Sequence, residues 1–185
     1  GLYLMLFRQS ILFVLFSSLL IAQEPPLFTM IEDEATIPLL NPSLAERKVG
    51  KIRLKNGLEA YLISDKNAEK SAACLSVEVG SWDDPKDYPG MAHFCEHMLF
   101  MGTEKYPSET DYWTYILDHG GATNAYTASD HTAYMFTINH DFFKSGLDRF
   151  AHFFIDPLFL QNSIERELLA VDQEHGKNIE HDGWR

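Results

Sequence analysis

The residues of this chain best suited to chemistry are His93-Phe94-Cys95-Glu96-His97, two histidines four apart with a glutamate between them. On a helix, positions i and i+4 project from one face about one turn apart. His93 and His97 can then offer imidazole nitrogens to one ion. Glu96 rises from the same side, where its carboxylate can meet a water. Two neutral imidazoles, a carboxylate and an open position are what hydrolytic zinc chemistry requires. The order is H-x-x-E-H, the inverse of the thermolysin-type H-E-x-x-H, which excludes that class. Five residues alone are a weak signal, because histidine pairs at this spacing also occur on ordinary solvated helix faces.

Zinc calls for a third protein ligand. The Glu-rich segment from Glu165 offers Glu165, Glu167, Asp172, Glu174 and His175. Glu167 and Glu174 are seven apart, nearly eclipsed on a helix, so both can face one site. Helical geometry narrows the choice to that stripe and leaves both candidates open.

The elements that must position these groups are legible as patterns. Lys51–Lys55 alternates at period two, Asn56-Gly57 makes a turn, and Leu58–Ile63 returns, which is a hairpin signal. Ala72–Gly80 reads as a third strand with Leu75, Val77 and Val79 on one face. Gly90–Met101 reads as the helix carrying the histidines, with Met91, Phe94, Met98 and Met101 packing the core and Cys95 a packing residue rather than a ligand. A second helix is expected after Pro107, capped by Ser108 and stopped by Gly120-Gly121. Thr123–Ser129 and Thr132–Asn139 read as strands and Phe142–Phe154 as an amphipathic helix. Asn162 and Glu165 form the expected capping pair of a long last helix.

Length and charge bound the function. The 185 residues, 45% hydrophobic and 13% aromatic, suffice for one domain with a core. A net charge of −12 argues against a nucleic-acid partner, which needs a basic footprint, and against an acidic membrane surface. Two cysteines, Cys74 and Cys95, are too few for a disulfide framework. Ile11–Ala22 is an apolar run of signal-peptide length, short of a spanning helix. The division expected is therefore a signal peptide over residues 1–22, a Pro-broken linker over 23–45 and a catalytic domain over 46–185. Export to a periplasmic or extracellular location follows, with a membrane-anchored or cytosolic protein as the alternative.

The chain resembles the pitrilysin/insulysin family of inverted zinc metallopeptidases, and the likeness extends well beyond the histidines. It includes Leu99-Phe100, Gly102-Thr103, Tyr106-Pro107, Asn124-Ala125 before His131-Thr132, Leu147–Phe150, Pro157–Phe159, Arg166-Glu167 through His175, and Trp184-Arg185. The resemblance covers about Val49 to Arg185. In that family the ligating glutamate follows the second histidine after 76 intervening residues, and 76 lie between His97 and Glu174. It therefore implies His93, His97 and Glu174 as the ligands of one Zn2+. Glu167 becomes a carboxylate orienting the site, and Glu96 the general base of metal-assisted peptide hydrolysis.

The resemblance also implies that Asn124, Ala125 and Tyr126 lie on an edge strand where an extended peptide docks by strand addition. The alternative is a plain sheet edge with a packed tyrosine. The expected fold is α+β, a mainly antiparallel sheet with packed helices and the zinc site between two helices, as in pitrilysin and the mitochondrial processing peptidase. The substrate expected is a peptide or small protein. Family enzymes are several times longer and complete a chamber with further domains or a partner subunit, which puts the isolated chain's turnover in question. A second reading follows, a proteolytically silent zinc-binding scaffold. Retention of His93, Glu96, His97 and Glu174 together favours an endopeptidase.

Overall fold

The structure, a computed structural model, describes residues 26–32, Pro42 and 46–179. Two compact units divide the chain, Gly1–Lys66 and Asn67–Arg185. The first holds an antiparallel sheet of β1 (Phe28–Met30), β2 (Lys48–Leu54) and β3 (Glu59–Ser64) in that order. The expected hairpin is present. The Asn56 side chain accepts from the Leu58 amide at 3.1 Å, and Gly57 closes the turn onto the Leu54 carbonyl at 2.9 Å. Val49 then faces Ile63 and Lys51 faces Tyr61 across the ladder.

In the second unit, β4 (Lys70–Val77), β5 (Ala122–Thr127) and β6 (Thr132–Asn139) form a sheet of order β4-β6-β5, antiparallel throughout. Central β6 is paired on both sides and buries Thr132, Ala133, Tyr134, Phe136 and Ile138. On β4 the alternation is visible directly. Ser71, Ala73, Leu75 and Val77 are half-buried, while Ala72, Cys74 and Ser76 face outward. Four helices accompany this sheet: α1 (Met91–Leu99), α2 (Asp111–Asp118), α3 (Phe143–His152) and α4 (Gln161–Ile179). The core joining sheet and helices is largely aromatic. Phe153 packs against Tyr112 with ring centroids 4.7 Å apart and against Phe100 at 5.0 Å, and Phe136 meets Phe150 at 5.2 Å. The architecture is α+β, as expected.

Several local expectations are corrected. Helix α2 begins at Asp111, because Ser108–Thr110 closes a turn in which the Asp111 amide reaches the Ser108 carbonyl at 3.1 Å. Helix α4 begins at Gln161, so Asn162 lies inside it and caps nothing. Val79 lies past the end of β4 and is 46% exposed. Of the α1 hydrophobics expected in the core, Met98 is fully buried, but Met91 sits in the first turn and is exposed. Cys95 is exposed as well, since α1 turns Glu96, Met98 and Leu99 inward instead. The apolar run Ile11–Ala22 lies outside the described residues. Among the described residues no helix is long and apolar enough to cross a membrane.

Candidate metal centre

Helix α1 is fixed at its start by a carboxylate from the preceding loop. Asp84 accepts from the backbone amides of Gly90 at 2.7 Å and Ala92 at 2.8 Å, satisfying two donors that a helix N-terminus leaves open. Gly90 enters the helix with φ of 88°, a left-handed conformation that favours glycine. With the start fixed and Met98 and Leu99 locked in the core, the rotation of α1 is determined. His93 and His97 then project from one face.

Their Nε2 atoms lie 3.2 Å apart, and the rings meet edge to face at 4.8 Å and 85°. Helix α4 runs past this face and brings Glu174 Oε2 to 3.8 Å from His93 Nε2 and 3.6 Å from His97 Nε2. One donor atom from each residue falls within a common span of 4.8 Å. Tetrahedral zinc with nitrogen ligands at about 2.0–2.1 Å would hold two of them about 3.3 Å apart. The two imidazoles already have that spacing, and the donor set of two nitrogens and a carboxylate suits the ion.

Glu167 stands about two helical turns before Glu174 on the same stripe and takes a different position. It is buried, at 9% exposure, and accepts from His97 Nδ1–H at 3.2 Å. That contact fixes the proton on Nδ1 and turns the Nε2 lone pair toward the cluster, the arrangement by which carboxylates orient metal-binding histidines. Arg166 approaches the other Glu167 oxygen at 3.5 Å. Glu109, from the turn before α2, holds the beginning of α4 by accepting from Ser163 and from Arg166, the latter at 2.8 Å. These two bonds, Ser163 first, hold the Glu109 carboxyl below the usual glutamate range.

Glu96 is 7% exposed and accepts from Thr127 Oγ1 at 2.7 Å. Thr127 ends β5, so the last residue of that strand and the glutamate of the histidine motif are directly joined. Above them, burial pushes the Tyr134 phenol well up, with the charges of Cys95 and Glu96 adding to the shift, so it stays neutral. Strand β5 is paired only with β6 among the described residues and is a sheet edge. Along it Asn124 and Tyr126 face outward, while Ala125 and Thr127 are half-buried on the other side. The three residues Asn124–Tyr126 thus share an edge without sharing a face.

Asp84, Thr127, Glu109 and Ser163 were not singled out in the sequence, and Arg166 entered only within the family resemblance. Thr127 had a usable signal, since strand parity puts it on the face opposite Asn124 and Tyr126. Glu109 and Arg166 had none, because their pairing spans 57 positions.

Comparisons with known proteins identify the family. Residues 60–185 match the model of the Insulinase family, peptidase family M16. The chain is 50% identical over 149 residues to the A-factor-processing enzyme of Saccharomyces cerevisiae, a match covering 80% of this chain and 14% of the relative. It is 52% identical over 149 residues to insulin-degrading enzyme-like 1, peroxisomal, of Arabidopsis thaliana, covering 80% and 15% respectively. To the insulin-degrading enzyme of Homo sapiens it is 46% identical over 140 residues, covering 76% and 14%. Among solved structures, that of pitrilysin superposes with a TM-score of 0.76 at 37% identity, covering 84% of this chain and 16% of the other. The chain spans about one seventh of the length of the curated relatives it matches.

The expectation of export is corrected by these relatives. One that is 52% identical is named for the peroxisome, a compartment inside the cell. A twelve-residue apolar run records hydrophobicity, and hydrophobicity alone does not decide how a segment is used.

Proposed function

Since the chain belongs to the Insulinase family, peptidase family M16, we propose that it forms the zinc-holding part of a metalloendopeptidase. His93, His97 and Glu174 are the ligands in this reading, and residues 46–185 make up the peptidase domain. The observation that carries it is the convergence of His93 Nε2, His97 Nε2 and Glu174 Oε2 beside the buried, hydrogen-bonded Glu96. Zinc, when bound, supplies Lewis acidity toward the scissile carbonyl and toward water.

The chain's own residues do the rest. Glu167 keeps the His97 proton on Nδ1, so that Nε2 is available as a ligand. Glu96 accepts a proton from the attacking water and later returns it to the leaving amine. Thr127 holds the carboxylate in place through one oxygen and leaves the other open. An extended peptide adds to the free edge of β5, where Ala125 turns its backbone groups outward, with Asn124 beside it and Tyr126 forming a wall. Because Thr127 terminates the same strand, a peptide paired along β5 arrives beside Glu96. Peptides and small proteins that can present an extended strand are the substrate class. The domains by which the relatives exceed this chain complete the chamber.

The test is zinc stoichiometry on the chain and on Glu174→Gln, with cleavage of an internally quenched peptide followed on the same samples. One zinc per chain, lost in the variant, supports the ligand set. Absence of zinc from the folded chain would overturn it. Zinc with cleavage makes this segment sufficient by itself, whereas zinc without cleavage assigns the remaining steps to further domains.

A further inference from the structure

The β5–β6 hairpin carries a second constellation that the hydrolytic reading leaves unused. Asp130 accepts from His131 Nδ1–H at 2.7 Å, which commits the imidazole proton to Nδ1. The opposite nitrogen, Nε2, is then an acceptor and lies 3.3 Å from the Tyr126 hydroxyl. The two rings meet edge to face, with centroids 5.6 Å apart at 81°. The bond from His131 Nδ1–H holds the Asp130 carboxyl below the usual carboxylate range, so it is charged at neutral pH.

The turn that carries Asp130 and His131 is itself clamped. The Ala128 amide closes onto the His131 carbonyl at 2.8 Å. The segment following β4 grips it from one side, with the amides of Ser81 and Trp82 reaching the carbonyls of Ala128 and Ser129 at 3.0 and 2.8 Å. Thr132 Oγ1 donates back to the Val79 carbonyl at 2.8 Å. This approach requires glycine at position 80, where a Cβ would lie 2.5 Å from the Ala128 carbonyl oxygen and 2.6 Å from the Asp130 nitrogen. A turn held this closely fixes the direction in which His131 points.

We propose that His131, oriented by Asp130, is a positioning residue that holds the exposed Tyr126 ring upright as the wall of the peptide-docking edge. The proposal rests on the reading of β5 as that edge. His131 acts only through the Tyr126 hydroxyl and touches no reacting atom. Without it, an aromatic ring that is 49% exposed is free to change rotamer and lie over the strand that a peptide must approach.

Two measurements test this. Nitrogen-15 spectra of the imidazoles in the intact chain should find His131 as the Nδ1–H tautomer; the Nε2–H tautomer would overturn the relay, whatever the chain binds. Fluorescence anisotropy with the same peptide carrying a single fluorophore and no quencher, in a zinc-loaded Glu96→Gln background that leaves it uncut, then reads the consequence. His131→Ala should weaken binding about two- to tenfold, the range of one modest hydrogen bond. His131→Gln, which keeps an acceptor, should recover most of that loss. In a Tyr126→Phe background the same His131→Ala change should add nothing further. An equal loss in both backgrounds, or no loss in either, would refute positioning through Tyr126. Failure of the unsubstituted chain to bind any peptide would count against the edge reading instead, with the tautomer still deciding the relay.

Discussion

Helix α1, nine residues long, buries Glu96, Met98 and Leu99 and has its first turn bonded to Asp84. Helix α4, nineteen residues long, buries only Ser163 and Glu167 among its described side chains and leaves Leu168 and Leu169 at 52% and 64% exposure. The two helices thus contribute unequally to one cluster. The histidines ride on an element locked by the core. Their carboxylate partners ride on one held by a few polar contacts, from Glu167 to His97 and from Glu109 to Ser163 and Arg166. The lesson is that the imidazole pair is set by hydrophobic packing, while the third donor is set by hydrogen bonds. The two halves should therefore fail under different perturbations.

Four experiments press on that difference. The largest effect belongs to Glu96→Gln, which removes the proposed base while leaving its shape. Peptide turnover should fall about 10²- to 10⁴-fold with zinc content unchanged, as read by cleavage rate beside metal analysis. Phe100→Ala empties the core at the end of α1, where that ring packs on Phe153 at 5.0 Å, and should cost about 3–5 kcal/mol in urea unfolding. It acts on the histidine side without touching a donor atom. Glu167→Gln leaves that core intact and loosens the hold on His97; zinc affinity should drop about 10- to 100-fold in a competition titration, with the unfolding midpoint little moved.

The smallest effect concerns acid and the start of α4. The Glu109 carboxyl is depressed by Ser163 and Arg166, so its contribution to stability is complete above the ordinary value of 4.5 and is lost as pH falls below that through the native value. Urea midpoints of the chain and of Glu109→Gln should differ near neutrality and converge in acid. A difference that persists unchanged into acid would mean that the tether does not depend on the glutamate charge.

Much of this was legible in the sequence where one periodicity ruled. The strand at Thr132–Asn139 matches β6 residue for residue, because a central strand is long, apolar and bounded by turn residues. The Asn56-Gly57 hairpin was equally plain. The histidine pair and Glu96 needed only the helical repeat. Choosing Glu174 over Glu167 was beyond the helical repeat, since both lie on one stripe, and came from the family spacing. Helix starts were misjudged at Ser108, which closes a turn before α2, and at Asn162, which lies inside α4 rather than at its cap. Asp84 and Glu109 escaped notice because their meaning lies in partners brought close only by the fold, and Thr127 was passed over although strand parity marked its face.

The contact from His97 to Glu167 joins residues 70 positions apart. A loop of that length closes late in folding, after local helices and hairpins have formed. Until α4 docks, a nascent chain carries a bare histidine pair with no third donor and no tautomer control. Whatever bond-breaking capacity the centre has is therefore withheld from half-made copies of the protein. In the proposed reading, the order of assembly keeps the metal centre incomplete until α4 has docked.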